Sequence, residues 1–407
     1  MALFTFNPEK IRKDFPILNN PKKKIIYFDN ACMSLRPQQV IDALTRYYTD
    51  FPGCGGRSSH QISKLVDNKV TEARKIIAKS FGANKPEEII FTKNTTEGIN
   101  IVANSLGLKN GDIVLTTDKE HNSNLLPWQV LSKKLGIRHI PIDSNPDNSF
   151  SIENFKKALT KDVKLISMVH TSNMDGTSIP AEEIIKLAHK NGSLVLLDGA
   201  QSAPYKDINL KKLDVDFYAF SGHKMCGPSA IGVLYGKYTL LEKLEPYTVG
   251  GETVYETTYT TAEFEKPPMK FEPGLQHYAG IIGLAEAVKY IDHIGRKNIE
   301  KHKIKLNKRL TEGLLKKSKK IEIIGPIKPE QRSGVCSFNI DGFDPHQIAL
   351  IMDKSKNICI RSGAHCVHSW FNKHKMQGSA RASFYFYNTE EEVDIFLDEI
   401  DNLLKLI

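Results

Sequence analysis

Residues 163–201 read "VKLISMVHTSNMDGTSIPAEEIIKLAHKNGSLVLLDGAQ", in which two apolar runs flank an amphipathic stretch. The runs "VKLISMV" and "LVLL" are almost continuously apolar, which is typical of strands that are covered on both faces of a sheet. The stretch between them, "PAEEIIKLAHKNG", has the spacing of an amphipathic helix. A strand, a helix and a second strand in this order predict two parallel strands of one sheet.

The same alternation continues toward the N-terminus, where "EEIIFT" and "DIVLTT" are each followed by a helical pattern. It predicts an open α/β fold with a mainly parallel sheet, whose ligands bind outside the carboxyl ends of the strands. From about Tyr290 the pattern changes to mixed strands and helices, which indicates a smaller α+β domain. We therefore predict an N-terminal segment packing with the small domain (1–20), a large domain (21–289), and a small C-terminal domain (290–407).

Length and composition set the class of protein. The chain has 407 residues, of which 40% are hydrophobic and 25% are charged, as in an ordinary soluble globular protein. No run of about 18 apolar residues is present, so no membrane partner is expected. The opening "MALFTFNPEKIRKDFPILNN" lacks the residue order of a signal peptide, and we predict a cytoplasmic location.

The net charge of +9 is concentrated in "RKNIEKHKIKLNKRLTEGLLKKSKK", residues 296–320. Such a run could bind nucleic acid or an acidic partner. Its apolar residues recur near helical spacing, and this favours an amphipathic helix with a solvated lysine face. Nucleic acid is therefore not expected to be a partner.

Cys366 lies in "IRSGAHCVHSW", residues 360–370, between two histidines. This stretch alone leaves three roles open: a metal ligand, a buried thiol or a nucleophile. The six cysteines are scattered without a C-x-x-C pair, so no disulfide framework and no metal site are predicted.

Four short stretches place polar residues where a strand gives way to a loop: "NTTEGIN", "EHNSNLLPW", "LVLLDGAQS" and "FYAFSGHKMCGPSAIGVLYG". Taken singly, each has an ordinary explanation, such as a helix cap for the two threonines or a solvated loop lysine for Lys224. Together they supply what pyridoxal phosphate requires. Lys224 would form the Schiff base, Asp198 would keep the ring nitrogen protonated, and Thr, Ser and His side chains would hold the phosphate near a helix start.

In these motifs the sequence resembles the class V aminotransferase fold group, whose members have the type I fold of pyridoxal-phosphate-dependent transferases. Within this group it resembles the cysteine desulfurases of the SufS-like (type II) family. The resemblance covers nearly the whole chain, from "YFDNACMSLRP" to "ASFYFYNTEEEVD", and includes the Arg-x-Gly-x-His-Cys pattern at 361–366.

The resemblance implies an enzyme that converts L-cysteine to L-alanine and leaves a persulfide on Cys366, for iron–sulfur cluster or other thio-cofactor synthesis. It also implies a homodimer and a sulfur-acceptor or scaffold protein as partners. The residues that it implies are catalytic Cys366, Lys224 and His121; cofactor-binding Lys224, Thr95, Thr96, His121, Asp198, Gln201, Ser221 and His223; and substrate-binding Asn173, Arg381 and Arg361. Arg361 or a protonated His365 would favour the Cys366 thiolate.

Some residues depart from the family pattern. Leu275 stands where relatives usually carry a threonine that reaches the phosphate of the neighbouring subunit. That contact is lost here, or it is replaced by Gln276 or His277. Cys32 and Met33 replace the usual small or hydroxyl residues. We interpret Cys32, with Cys54 and Cys226, as a packing residue.

Two other functions stay open. One is a related enzyme with the same cofactor, such as a selenocysteine lyase or an epimerase. The other is a sulfur-delivery or RNA-binding module with little turnover, which would use the basic helix.

Overall fold

The computed structural model describes residues 6–56 and 58–406, so residues 1–5 of the predicted N-terminal segment lie outside the described part. The strands of the described part are β1 (Ile26–Tyr27), β2 (Ile89–Thr92), β3 (Ile113–Thr117), β4 (Arg138–Ile142), β5 (Val163–Val169), β6 (Leu194–Asp198), β7 (Phe217–Ser221), β8 (Gly232–Gly236), β9 (Val254–Thr257), β10 (Ala262–Phe264), β11 (Ile321–Ile324), β12 (Val335–Ile340), β13 (Ile358–Cys359), β14 (Arg361–Gly363) and β15 (Ser379–Ser383).

The α-helices of the same residues are α1 (Pro8–Arg12), α2 (Gln38–Asp50), α3 (Gln61–Ser80), α4 (Thr95–Ser105), α5 (Asn122–Leu135), α6 (Ile152–Ala158), α7 (Ala181–Asn191), α8 (Leu210–Leu213), α9 (Tyr238–Leu241), α10 (Tyr278–Ile294), α11 (Arg296–Lys317), α12 (Pro345–Lys356), α13 (His368–Lys373) and α14 (Glu390–Leu404). None of the described helices is long and apolar enough to cross a membrane.

The larger sheet has seven strands in the order β2-β8-β7-β6-β5-β3-β4. Its strand pairs are parallel except for those of β8, which is antiparallel to β2 and β7. The parallel pair of β5 and β6 confirms the prediction made from residues 163–201. The fold is therefore the predicted α/β class with a mainly parallel sheet.

Alternate residues of each strand in this sheet enter two different cores. On one face, α3, α7 and α10 cover residues such as Leu197 and Phe220. On the other face, α4 and α5 cover residues such as Leu196 and Ala219. Because both faces are covered, the central strands are apolar at nearly every position, as the sequence pattern indicated.

The smaller sheet is antiparallel, with the order β11-β12-β15-β14. Helices α11, α12 and α14 pack with it around a separate core. The predicted mixture of strands and helices after residue 290 is confirmed. Cys366 lies on the loop between β14 and α13, as predicted from the sequence.

Two details of this region differ from the sequence patterns. "ICIRSG" forms two short strands in different sheets, because β13 pairs with β1 whereas β14 pairs with β15. "SARASFYFY" is extended only to Ser383, and residues 384–387 are buried without strand pairing.

Segments distant in sequence complete each other's packing. Arg12 of α1 donates to the carbonyl of Tyr387 at 2.7 Å and forms an ion pair with Glu392 at 2.8 Å. Phe28 is fully buried in the second core, with its ring 4.9 Å from that of Phe384. The predicted boundary at residue 290 falls inside α10, which ends only at its C-cap, Gly295. The buried residues of α10 belong to the core of the larger domain.

Candidate active site

A cavity of about 210 Å³ opens at the carboxyl ends of β5, β6 and β7. Every predicted site residue except Cys366 lines it. The lining residues are Ala31, Cys32, Asn94, Thr95, Thr96, His121, Ser123, Val169, Asn173, Asp198, Ala200, Gln201, Ser221, His223, Lys224, Arg361 and Arg381. The side chains of the larger domain come together because the parallel strands end at this edge of the sheet. Arg361 and Arg381 come from β14 and β15 of the smaller sheet.

Lys224 and Asp198 provide an amine and a carboxylate in the same cavity. Asp198 ends β6 and is buried, where its Oδ1 accepts from the backbone N–H of Ala200 at 2.9 Å. Burial raises the pKa of Asp198, and the nearby Lys224 opposes this effect. Burial also lowers the pKa of Lys224, with Asp198 acting in the opposite direction. No residue of the described ranges hydrogen-bonds to Lys224 Nζ, so this amine is available to a ligand.

The start of α4 forms another wall of the cavity. Asn94 caps the helix by accepting from the N–H of Glu97 at 3.0 Å, so the cap is not the threonine pair that the sequence allowed as an alternative. Thr95 hydrogen-bonds through both its N–H and its hydroxyl to Ser221 Oγ, at 2.9 and 2.7 Å. A Cβ at Gly232 would lie 2.7 Å from the Cα of Asn94, so glycine is needed for this close approach.

His121 presents a neutral ring to the cavity. Burial, together with the positive charges of Lys224 and Arg361, lowers the pKa of His121 to about 3. Its Nδ1 pairs with Ser123 Oγ at 2.9 Å, and Ser123 Oγ also pairs with Thr96 Oγ1 at 2.7 Å. Sequence reasoning did not assign a role to Ser123, although "EHNSN" places it in the first turn after the histidine.

Two further predicted cofactor ligands lie nearby. Gln201 lines the cavity and donates from Nε2 to the carbonyl of Ala31 at 2.6 Å. Burial lowers the pKa of His223 to about 4, so this histidine is a neutral hydrogen-bonding group at physiological pH.

Arg381 is a buried cation on β15. It donates to the carbonyl of Asn173 at 2.8 Å and to Asp29 Oδ1 at 3.1 Å, while its Nε has no partner among the described residues. Asn173 uses its Nδ2 to donate to the carbonyl of His365 at 2.7 Å, and its Oδ1 likewise lacks a partner within that part of the chain. A substrate carboxylate needs donors, so Arg381 suits that role better than the amide of Asn173 in this arrangement. Asp29 was not singled out from the sequence.

Arg361 connects the cavity to Cys366. Its Nη2 donates to Cys366 Sγ at 3.5 Å, and its Nη1 donates to Cys32 Sγ at 3.1 Å. A guanidinium that donates to a sulfur stabilises negative charge on it. The interpretation of Cys32 as a packing residue is therefore wrong, because its sulfur is a polar group in the cavity wall. Cys226, in contrast, is fully buried.

His365 does not supply positive charge to Cys366. It is buried, its Nε2 pairs with Ser379 Oγ at 2.8 Å, and burial lowers the pKa of His365 well below its usual value. The expectation of a protonated His365 is therefore wrong. His368 points elsewhere and pairs with Asn122 at 3.0 Å. Among the described residues, no group of three or more His, Cys, Asp or Glu side chains could hold a metal ion.

The cavity has the chemistry that pyridoxal phosphate needs. A buried carboxylate faces a ring-sized space, the start of a helix and three hydroxyls can receive a phosphate, and an amine without a hydrogen-bond partner among the described residues can reach an aldehyde. Leu275 lies outside this wall and is 72% exposed. The residues present therefore fit the cofactor.

Comparison with known proteins gives a consistent result. The model of the family described as Aminotransferase class-V matches residues 26–396. The chain is 40% identical to a probable cysteine desulfurase of Pyrococcus abyssi, with 98% of each chain covered. The cysteine desulfurase of Haloferax volcanii is 38% identical, over 98% of this chain and 97% of that protein. The apo structure of the cysteine desulfurase from Thermococcus onnurineus NA1 superposes with a TM-score of 0.95 at 40% identity, with all of both chains covered. The chain therefore belongs to the class-V aminotransferase family and, within it, to the cysteine desulfurases.

Proposed function

We propose that the protein is a pyridoxal-phosphate-dependent cysteine desulfurase that converts L-cysteine to L-alanine and holds the released sulfur as a persulfide on Cys366. The observation that carries this proposal is the Arg361 side chain. It lines the cavity that contains Lys224 and Asp198, and it also donates to the Cys366 sulfur at 3.5 Å.

The residues that would hold the cofactor follow from the walls of the cavity. Lys224 would bond to its aldehyde, Asp198 would face the ring nitrogen, and the neutral ring of His121 would stack on it. The phosphate would bind at the start of α4, where the candidates are Thr95, Thr96, Ser221 and His223, and Gln201 would contact the ring hydroxyl. When bound, the cofactor withdraws electrons from the substrate Cα and so makes its proton acidic.

The residues of the chain then bind the substrate and move its proton. Arg381, with Arg361 beside it, would bind the carboxylate, because both are fixed cations of the cavity wall. Lys224 would remove the Cα proton. Its pKa is lowered by burial, so a larger fraction is neutral and able to act as a base.

Cys366 completes the reaction by accepting sulfur. Its thiolate attacks the sulfur of the substrate, a sulfur–sulfur bond forms, and the bond between that sulfur and the substrate Cβ breaks with its electron pair on carbon. Protonation of that carbon gives alanine. The balance is L-cysteine plus a protein thiol to L-alanine plus a protein persulfide.

The test is the Cys366→Ser variant with Cys359→Ser as its matched control. Cys359 is a half-buried cysteine of the same domain, and among the described residues it forms no hydrogen bond with Arg361. We expect Cys366→Ser to retain the cofactor but to form no alanine from cysteine, because a hydroxyl is a poor acceptor for sulfur. Cys359→Ser should behave as wild type. Full desulfurase activity in Cys366→Ser would refute the proposal.

Two alternative functions have less support. A selenocysteine lyase or epimerase would use the same cofactor site. A lyase would form alanine from selenocysteine in preference to cysteine, and an epimerase would form alanine from neither. An RNA-binding module would need free lysines on α11. However, Arg309 pairs with Asp394 at 2.6 Å and Lys305 with Glu390 at 2.5 Å, so α14 neutralises part of that charge.

We also propose a homodimer. The hairpin of β9 and β10 and the neighbouring loop expose apolar side chains, of which Tyr255 and Leu275 are each 72% exposed. Contiguous exposed apolar patches mark interaction surfaces, and Leu275 lines one groove together with the exposed Tyr247 and Val249. A two-fold dimer is the commonest closed assembly. Light scattering at micromolar concentration should give twice the chain mass of 45.8 kDa, and a monomer would contradict the proposal.

The remaining proposals concern organisation and setting. We propose a division into residues 1–20, a large domain from residue 21 and a small domain up to residue 407, with the boundary moved from 290 to the end of α10 at Gly295. The two separate sheets and cores support a large and a small domain. A sulfur-acceptor or scaffold protein would take the persulfide sulfur. A cytoplasmic location suits a thiol nucleophile in a chain whose six cysteines are all free.

A further inference from the structure

Two thiols share one guanidinium at the edge of the cavity. Arg361 donates from Nη1 to Cys32 Sγ at 3.1 Å and from Nη2 to Cys366 Sγ at 3.5 Å. The planar fork of the arginine therefore holds the two sulfurs side by side. Cys32 lines the cavity together with Lys224, whereas Cys366 is a half-buried residue that does not line it.

The position of Cys32 is fixed by the surrounding backbone. Its N–H donates to the carbonyl of Asp29 at 3.1 Å. The preceding residue, Ala31, donates to Ser383 Oγ at 2.9 Å and accepts from Gln201 Nε2 at 2.6 Å. These contacts fix the backbone that places the Cys32 side chain beside the guanidinium.

The backbone at Cys366 has an unusual conformation. His365 and Cys366 have φ of 50° and 61°, which is the left-handed region that residues other than glycine rarely adopt. The loop is held in this form by the N–H of Asn122, which donates to the Cys366 carbonyl at 2.8 Å, and by Asn173, which donates to the His365 carbonyl. Strained residues of this kind concentrate at functional sites.

The other cysteines lack this environment. Cys226 is fully buried, and burial raises its pKa to about 12. Burial also raises the pKa of Cys359, which contacts only the carbonyl of Asn357, at 4.0 Å. Cys54 is half-buried and contacts the carbonyl of Gly55. Among the described residues, only Cys32 and Cys366 receive a hydrogen bond from a cation.

We propose that Cys32 is a second sulfur-carrying residue, which accepts the terminal sulfur of the Cys366 persulfide. This inference rests on the proposed function, because the Cys366 persulfide is its starting point. The Cys32 thiolate attacks the terminal sulfur, a new sulfur–sulfur bond forms at Cys32, and the bond to Cys366 breaks with its electron pair on the Cys366 sulfur. One thiolate and one persulfide are consumed and one of each is formed, so no oxidant or reductant is required.

The transfer restores the Cys366 thiolate, which can then accept sulfur from a second substrate molecule. Arg361 contacts the leaving sulfur as well as the attacking one, so the negative charge stays next to the same cation throughout. Without reductant, the wild-type chain should therefore take up two sulfur atoms and release two alanine molecules before it stops. A chain without Cys32 should stop after taking up one sulfur atom and releasing one alanine molecule.

The experiment uses the holoenzyme, mixed briefly with L-cysteine without reductant, then quenched with an alkylating reagent and mapped by mass spectrometry. Alanine is counted in the same samples. We expect persulfide on both the Cys32 and Cys366 peptides of wild type, and a burst of alanine twice that of Cys32→Ala. Cys32→Ser gives a second, nearly isosteric variant, and the wild-type mapping is informative even if neither variant folds. The peptides of Cys54 and Cys359 serve as internal controls and should stay free of added sulfur.

Several results would overturn the relay. Sulfur on Cys366 but not on Cys32, with one alanine per chain, would refute it and leave the proposed function intact. Sulfur on Cys32 in Cys366→Ser would show direct transfer from substrate instead. A disulfide between Cys32 and Cys366 with release of sulfide would show attack at the inner sulfur. Equal labelling of Cys54 or Cys359 would show non-specific exchange. Absence of both alanine and labelled Cys366 would refute the proposed function itself.

Discussion

Replacing Arg361 by Met should slow the reaction of Cys366 with iodoacetamide about tenfold at neutral pH. A unit charge about 3.5 Å from a thiolate contributes roughly 5 kcal/mol at an effective dielectric constant of about 20. The side chain of Arg361 is only half-buried, so solvent screens this attraction. We take about 1.5 kcal/mol, the lower end of the range for a hydrogen bond to a charged group. About 1.4 kcal/mol corresponds to a factor of ten, and we expect this factor in the rate at which the Cys366 sulfur attacks iodoacetamide.

The assay measures the rate of alkylation of individual cysteines in the holoenzyme without substrate, by mass spectrometry of timed samples. Arg361→Lys retains a positive charge and should slow the alkylation of Cys366 less than Arg361→Met does. Cys54, which has no contact with Arg361 among the described residues, reports any general change in the protein and should react at the wild-type rate in each variant. Equal rates for Cys366 in wild type and Arg361→Met would refute the reasoning, because the thiolate would then not depend on the guanidinium.

Three other predictions concern the cofactor lysine and two buried cations. Borohydride reduction of the holoenzyme should attach the cofactor covalently to Lys224, and peptide mapping of Lys224→Ala should find no labelled peptide. A label on any other lysine would contradict the assignment. Arg74→Met should lower the free energy of unfolding in urea by about 3–5 kcal/mol, because Glu272 loses a buried partner at 2.7 Å; the double variant with Glu272→Gln should recover part of this, and no recovery would argue against the pair. Burial lowers the pKa of Lys303 to about 7, which is below the unfolded value of about 10.4. Between these two pH values the unfolded chain binds more protons than the folded one, so the free energy of unfolding rises with pH in this range. Lys303→Met should therefore raise Tm more at about pH 6 than at about pH 9.5. A lower Tm of this variant at about pH 6 would contradict the prediction and would mean that the Tyr205 ring, 3.7 Å from Lys303 Nζ, stabilises the charged amine by a cation–π interaction.

The sequence was sufficient for features that local pattern controls. Continuous apolar runs and helical spacing predict the parallel strands, and these strands bring Asp198, Ser221 and Lys224 to one edge because parallel strands end on the same side. The loop position of Cys366 also followed from the end of the preceding strand pattern. These predictions depend only on neighbours in the chain.

Contacts between distant segments could not be predicted in this way. The bond between Arg361 and Cys32 joins residues 329 positions apart, and it depends on how β14 packs beside the loop after β1. The burial of His365 depends on Ser379 and on Arg381 behind it. The residue pattern within one stretch of the chain does not indicate either of these contacts, so the roles predicted for Cys32 and His365 from the sequence were wrong.

The packing of Phe28 imposes an order of events during synthesis. Asn30, two residues after it, donates to the carbonyl of Ser383, which lies 353 positions later. At about 5–20 residues per second, the ribosome needs roughly 20–70 s to make the intervening chain. During that time the aromatic side chain of Phe28 lacks its native ring contacts, because both Phe384 and Phe396 are still to be made. The segment around Phe28 thus cannot complete its packing in the nascent chain, and the pocket wall that carries Cys32 would form only at the end of translation.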